Sequence, residues 1–329
     1  MAAAARLRDE LNLPDDEAVD IFDVIRRVGI WLVFQPMDKV LGATLSAGSA
    51  GILITTQRDV TMQRFTAAHE LGHHTLHRDE DIWDVEEDVD ANPTASKEQE
   101  ANVFAAHFLL PRTLLNLRLR HYGIGRSGDV PPEVVYLISR DLGLSYAATA
   151  NRVSDVRKFS GLARQRLLEA APIDLKSKLL DGRKPTNRRA QVWRADESEE
   201  PTFTVDVGDE MLAAIPENPS TGYIWTRAAD GDADVAEPPV SVVENEFTLR
   251  RGAELEAAPL DRKVGAPGSR RLHLRAEHEG EWTERLTLRR PFELGTEGAA
   301  FVDIHAVVRP LPKTTSSQFN TQLAEPDAE

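Results

Sequence analysis

The sequence predicts a multidomain chain, an α+β N-terminal domain with a helical extension followed by an all-β domain. Three observations carry this. The length of 329 residues corresponds to roughly two domains at about 150 residues each. Residues 1–60 alternate helical and strand patterns. From about Glu197 to Pro312 the apolar periodicity switches to two, with Gly, Pro, Asn and Asp between the runs, as in a sandwich or barrel. A composition of 41% hydrophobic and 28% charged residues is that of a chain that buries real cores. The balance of 39 Lys and Arg against 54 Asp and Glu gives a net charge of −15, which argues against a general nucleic-acid or anionic-membrane binder. Cysteine is absent, which removes disulfides, thiolate metal sites and cysteine nucleophiles and fits a reducing compartment. No apolar run is long enough to span a bilayer. The segment MAAAARLRDELNLPDD turns charged before an apolar region develops, so a cytoplasmic protein is expected.

The elements follow in order. Val19, Ile21, Phe22, Ile25 and Val28 lie at helical spacing and end at Gly29. Trp31–Pro36 reads as a strand and Ala43–Thr56 as a hairpin folded near Ala47–Gly51. A long helix spans about Asp59–His77, and a second about Ser96–Leu110 stops at Pro111. The acidic stretch between them, Asp79–Asp90, reads as a solvated connection. From Pro111 to about Gln191 the pattern is mainly helical, broken at Gly123–Gly128, with short helices at Pro131–Leu142 and Ser145–Arg152. The expected domains are 1–125, a helical extension at 126–192, the β domain at 197–312 and a flexible tail at 313–329.

The strongest chemical signal is RFTAAHELGHHTLH, which contains His69-Glu70-Leu71-Gly72-His73. Histidines four apart lie one helical turn from each other on one face, so both imidazoles reach one ion. Neutral imidazole suits zinc, and Glu70 between them lies close enough to the open position to act as a base. A third protein ligand is expected from KEQEANVFAAHFLLP. Ser96 with Gln99 resembles a capping box that starts this helix just before its acids. Glu98 and Asn102 share a face, so Glu98 can bind metal while Asn102 supports a ligand histidine. Glu100 competes with Glu98, and spacing alone leaves both open. His74 and His77 read as packing or supporting groups, and His121, His273, His278 and His305 as scattered surface or core residues.

RFTAAHELGHHTLH followed by EQEANVFAAHFLLP resembles the ImmA/IrrE family of metallopeptidases, firmly over residues 1–120 and loosely to about 190. The preceding VDIFDVIRRVGIWLVF and LGATLSAGSAGILITT are similar to that family too. The resemblance implies a zincin-like fold, one Zn2+ on His69, His73 and Glu98, and Glu70 as the catalytic acid/base. It also implies a substrate class, helix-turn-helix repressors that are cut to release genes. His107 departs from the family, which often has an acidic or small residue there, and a separate N-terminal helix-turn-helix domain, which some relatives possess, is not expected. The Ala43–Thr56 hairpin either offers an edge strand to an extended peptide or is purely structural.

Three loop motifs punctuate the β region: ENPSTGYIW (Glu217–Trp225), VGAPGSRRLHLRA (Val264–Ala276) and RRPFE (Arg289–Glu293). By composition they are ordinary turns between strands. Their order and wording resemble the chagasin-like inhibitors of papain-type cysteine peptidases over about residues 199–312. That resemblance implies an immunoglobulin-like sandwich whose three loops enter or flank the target's cleft. The matching residues are Asn218, Pro219, Ser220, Thr221, Gly222 and Tyr223, then Gly265 and Gly268, then Arg290, Pro291 and Phe292. Pro267 replaces a family glycine and removes a backbone donor, and Phe292 stands where Trp is usual. Two functions are therefore expected in competition. One is a zinc endopeptidase acting on a repressor, with the sandwich as docking or autoregulatory module and without direct contact to nucleic acid or membrane. The other is a non-catalytic sensor or scaffold whose sandwich binds a cysteine peptidase. The intact Glu70 favours the first.

Overall fold

In the computed structural model of the chain, the residues described are 2–38, 40–45, 50–77, 82–85, 93–126, 128–196, 200–227, 237–249, 268–292 and 298–310. They divide into a first unit that ends at Pro172 and a second from Ile173 to Pro312. The first unit begins with α1 (Ala2–Glu10), α2 (Ile21–Arg27), β1 (Trp31–Gln35), β2 (Val40–Leu45) and β3 (Gly51–Thr55). It continues through α3 (Val60–Leu76), β4 (Ile82–Val85) and α4 (Pro93–Leu109). Four helices complete it: α5 (Arg112–His121), α6 (Pro132–Asp141), α7 (Tyr146–Arg157) and α8 (Leu162–Leu168).

Local chemistry accounts for most of these boundaries. The Asp20 carboxylate accepts from Phe22 N at 3.0 Å and caps α2, and Asp59 accepts from Met62 N at 2.9 Å to cap α3. Ser145 Oγ accepts from Ala148 N at 3.2 Å and starts α7. The expected capping box at Ser96 is not a helix start, because α4 begins at Pro93. Proline is favoured in the first helical turn, where its missing N–H has no intrahelical partner to lose.

The four-stranded sheet runs in the order β1-β3-β2-β4. β2 and β3 form the expected antiparallel hairpin, Leu45 opposite Gly51, its turn at 46–49 outside the described residues. The edge-strand reading of this hairpin is corrected. β1 pairs parallel with β3 and β4 pairs antiparallel with β2, so both hairpin strands have neighbours on both sides. The acidic connection is likewise more than a loop. Its Ile82-Trp83-Asp84-Val85 run, rich in strand-forming residues, supplies β4. The flanking residues 78–81 and 86–92 lie outside the described set.

α1 is a helix that apolar periodicity did not single out. Arg8 is its anchor, buried to 1% exposure, with Nη1 donating to Phe108 O at 2.8 Å and Nε to Asp15 at 3.0 Å. The guanidinium also stands 5.7 Å from the Phe108 ring centroid. One cation thereby ties α1 to the C-terminal end of α4.

The second unit starts with α9 (Pro172–Leu179) and β5 (Val192–Asp196), followed by β6 (Thr202–Asp206) and β7 (Glu210–Glu217). Then come β8 (Ile224–Arg227), β9 (Val240–Leu249), β10 (Gly268–Ala276), β11 (Gly280–Arg289) and β12 (Ala300–Arg309). They form two separate sheets, β5-β7-β10-β9 and β6-β12-β11-β8. Phe203, Met211, Ile215, Trp225, Leu274, Leu286 and Ile304 belong to one buried cluster drawn from both, so the alternating residues of two facing sheets make a single core. The tail at 313–329 lies outside the described residues. No described helix is long and apolar enough to cross a membrane.

β5 lies beyond the strands read from the sequence, and it pairs in parallel with β7 from Val192↔Glu210 to Asp196↔Ala214. The segment before it is bound to the same sheet. Asp181 accepts from Arg194 at 2.8 Å and forms an ion pair with Arg271 at 2.8 Å, and Thr186 N donates to Glu210 Oε1 at 2.6 Å. Arg183 pairs with Glu246 at 3.0 Å. A fragment of residues 173–312 is therefore expected to fold. Shortening it to 197–312 removes β5 and these ties, and should lower the melting temperature by ~10 °C or more, as expected for a loss of ~2 kcal/mol in a domain of this size. Equal melting temperatures by circular dichroism would show that the segment adds nothing.

Candidate functional site

Residues of α3 and α4 meet because small side chains let the helices approach. A Cβ on Gly72 would lie 3.1 Å from Phe104 Cδ1 and 3.2 Å from Ala101 Cα. With glycine there, α4 lies close enough for Glu98 to reach the histidine face of α3. Glu98 Oε2 is 3.1 Å from His69 Nε2, Glu98 Oε1 is 3.2 Å from His73 Nε2, and the two Nε2 atoms are 2.9 Å apart. His69 and His73 are 5% and 1% exposed, so this group is almost closed to solvent on the α3 side.

His69 Nδ1 donates to Asn102 Oδ1 at 3.0 Å, one turn along α4 from Glu98. That hydrogen bond puts the proton on Nδ1 and turns the Nε2 lone pair toward His73 and Glu98. Two imidazole nitrogens and a carboxylate facing one another bring electron pairs together, an arrangement that a cation relieves. The donor set therefore fits a metal ion, and it is the one such group among the described residues. Glu100 is directed elsewhere: its Oε2 is 3.5 Å from His77 Nε2 and its side chain is 58% exposed.

Glu70 is fully buried between the two histidines in sequence, on the side of α3 that meets β2. The Thr44 hydroxyl of β2 donates to Glu70 Oε2 at 2.5 Å. His107, on the last turn of α4, accepts at Nε2 from Arg152 Nη1 at 3.2 Å. Burial, and then the Arg152 charge, lower its pKa to about 4, so it stays neutral and ties α4 to α7.

In the second unit, Asn218–Tyr223, Gly268 and Arg290–Phe292 lie at one end. Asn218 Oδ1 accepts from Ser220 N at 3.3 Å and Ser220 Oγ at 2.6 Å, and Thr221 Oγ1 donates to Asn218 O at 2.7 Å, shaping the turn at Pro219–Thr221. The Arg290 guanidinium stands 4.7 Å from the Tyr223 ring centroid. Phe292, beside Pro291, is 71% exposed, and a Cβ on Gly222 would lie 3.8 Å from its ring. Pairing of Gly268 with Glu217 and of Arg289 with Ile224 brings the strand ends together. Gly265 and Pro267 lie outside the described residues. Gly268 is the buried first residue of β10, where a Cβ would press on Phe247 and the Thr248 carbonyl, so its own sheet requires it.

Sequence reasoning assigned no role to Glu217, the buried base of the first loop. It takes a two-point contact from Arg270, at 2.9 and 2.7 Å, and accepts from Trp225 N at 2.9 Å. The Glu-x-x-x-x-x-x-x-Trp spacing carries no local signal of this, since the partner Arg270 is 53 residues away.

The geometry ranks the two acidic candidates. Glu98→Ala should weaken metal binding by at least ~100-fold, Asn102→Ala by ~10-fold or more, and Glu100→Ala little. Competition with a chromophoric chelator measures this, and a larger loss from Glu100→Ala would move the ligand.

Comparison with known proteins matches both regions. Residues 25–154 match Peptidase_M78, the IrrE N-terminal-like domain, and residues 204–305 match the chagasin family peptidase inhibitor I42. Among solved structures, the cysteine protease inhibitor EhICP2 from Entamoeba histolytica is 22% identical over 37% of this chain and 100% of its own, with a TM-score of 0.27. Leishmania mexicana ICP is 24% identical over 34% of this chain and 90% of its own, with a TM-score of 0.23. No curated protein matches the chain. β5 and the segment bound to its sheet precede the second matched region. The chain thus carries, in order, a region similar to the IrrE-type peptidase domain and a region similar to the chagasin-family inhibitors.

Proposed function

We propose that the first unit is a zincin-like, zinc-dependent endopeptidase that cuts a regulatory protein, a repressor of the helix-turn-helix type. The observation that carries this is the convergence of His69 Nε2, His73 Nε2 and the Glu98 carboxylate within 4.8 Å, with the buried Glu70 on the same helix. His69, His73 and Glu98 would hold the ion, and the two nitrogens and one oxygen suit zinc in a catalytic site with a fourth position open. When bound, zinc polarises the scissile carbonyl and lowers the pKa of water at that position. Asn102 keeps His69 in the tautomer that offers Nε2. Glu70 takes the proton of the attacking water on its carboxylate and passes it to the leaving amine. The repressor substrate rests on the similarity to the IrrE N-terminal-like domain.

Glu70→Gln removes proton transfer and no ligand. It should retain zinc while cleavage of a co-expressed helix-turn-helix repressor falls by at least ~100-fold. Cleavage by the variant at the wild-type rate would refute this mechanism.

The second unit has an immunoglobulin-like sandwich in this reading, and it binds a protein surface through its loop end. The similarity to chagasin-family inhibitors and the exposed Phe292 beside the Arg290–Tyr223 stack support that role. Docking the repressor is the preferred task, and inhibition of a papain-type cysteine peptidase is the alternative. Phe292→Ala should weaken repressor cleavage through a higher KM with kcat unchanged, since docking is uniform binding. An unchanged KM, together with inhibition of papain that Phe292→Ala abolishes, would transfer the unit to the alternative.

A further inference from the structure

β2 faces α3 with two residues that meet the Glu70 side chain. Gly42 lies in β2 where its register against β4 shifts between Val40 and Ala43. A Cβ there would stand 2.6 Å from Glu70 Oε1 and 2.5 Å from Thr66 Cγ2, so any side chain would displace the carboxylate. Thr44, on the same face two residues on, is 2% exposed. Its hydroxyl is 2.5 Å from Glu70 Oε2 and 3.2 Å from the Glu70 main-chain oxygen. The strand therefore leaves room for one carboxylate oxygen and holds the other.

We propose that Thr44 is a positioning residue for the Glu70 carboxylate, with Gly42 as the space that makes its orientation attainable. The inference rests on the peptidase reading only for its effect on rate; the contact itself belongs to the fold. A glutamate has three rotatable side-chain bonds and samples many orientations unless it is held. Proton transfer requires the carboxylate within about 3 Å of the proton it takes, so a freely turning side chain wastes most of its encounters. Holding one oxygen at Thr44 fixes the carboxylate plane, and because Thr44 bonds no metal-ligating residue, it does so without touching the ligand set. Register adds that Thr44 lies opposite Ile82 of β4, so strand pairing on both sides fixes the hydroxyl in turn.

The test uses the full chain with Thr44→Val, which keeps the shape and deletes the hydroxyl, and Thr44→Ser, which restores it. Glutamate labelled with 13C at the carboxyl carbon reports the contact, the Glu70 resonance being identified by its loss in Glu70→Gln. Thr44→Val should shift that resonance and Thr44→Ser return it toward the wild-type position. Zinc affinity, measured by chelator competition, should change less than about two-fold in both. In repressor cleavage, Thr44→Val should lower kcat by ~10-fold or more at nearly constant KM, with Ser recovering most of it. Should Thr44→Val melt before assay, Thr44→Ala takes its place under the same criteria. An unmoved Glu70 resonance, a parallel loss of zinc, or a kcat that Ser does not recover would overturn the proposal. Absence of cleavage by the wild-type protein, with the resonance behaving as expected, would instead overturn the peptidase reading and leave the contact standing.

Discussion

The close approach of α3 and α4 is the constraint on which the candidate site depends. Two helices normally pack about 8–10 Å apart, and side chains at the crossing set that spacing. Gly72 placed against Ala101 removes the obstruction on both sides, and Phe104 fills the flank. Only then does a glutamate of α4 touch two histidines of α3 with both carboxylate oxygens. Leu71, Ala101 and Ala105 are fully buried beside this crossing, so the apolar packing that holds the helices together also sets the distance between Glu98 and the two histidines.

The rest of the first unit braces that crossing from two directions. β2 meets the Glu70 side of α3 through Gly42 and Thr44. On the far side, Arg8 of α1 holds the Phe108 carbonyl and Arg152 of α7 holds the Leu110 carbonyl, both at the C-terminal end of α4. Those carbonyls have no intrahelical partner, and cationic side chains suit the negative end of the helix dipole. The second unit instead uses a side-chain ion pair at its loop end, where Arg270 and Glu217 meet almost out of water. A buried pair of this kind adds little net stability, but losing one partner is costly, so it specifies the position of the loop base.

How much was legible in advance depended on the range of the interaction. The histidine pair lies within one helical turn, so the i, i+4 rule placed both imidazoles on one face. The helices starting near Asp59 and Ser145 showed in their apolar spacing, and alternation exposed the seven strands from β6 to β12. The start of α4 was misplaced because Ser96 imitates a cap, while Pro93 three residues earlier already satisfies the first turn. β4, hidden in an acidic run, and β5, whose Val-Trp-Arg-Ala-Asp order does not alternate cleanly, are strands only because a neighbour pairs with them.

The sequence by itself determined the shared helix face of His69 and His73, the switch from α+β to all-β architecture and the two family resemblances, since each is written in residues close together in the chain. Tertiary structure alone brought Glu98, and not Glu100, against the two histidines, because both lie on one helix and which one faces α3 depends on how α4 is rotated. It also decided that the hairpin is not an edge, that Gly268 serves its own sheet, and that Thr44 bonds Glu70. Each joins residues distant in sequence, and no local period or spacing encodes which strand or helix will be packed against which.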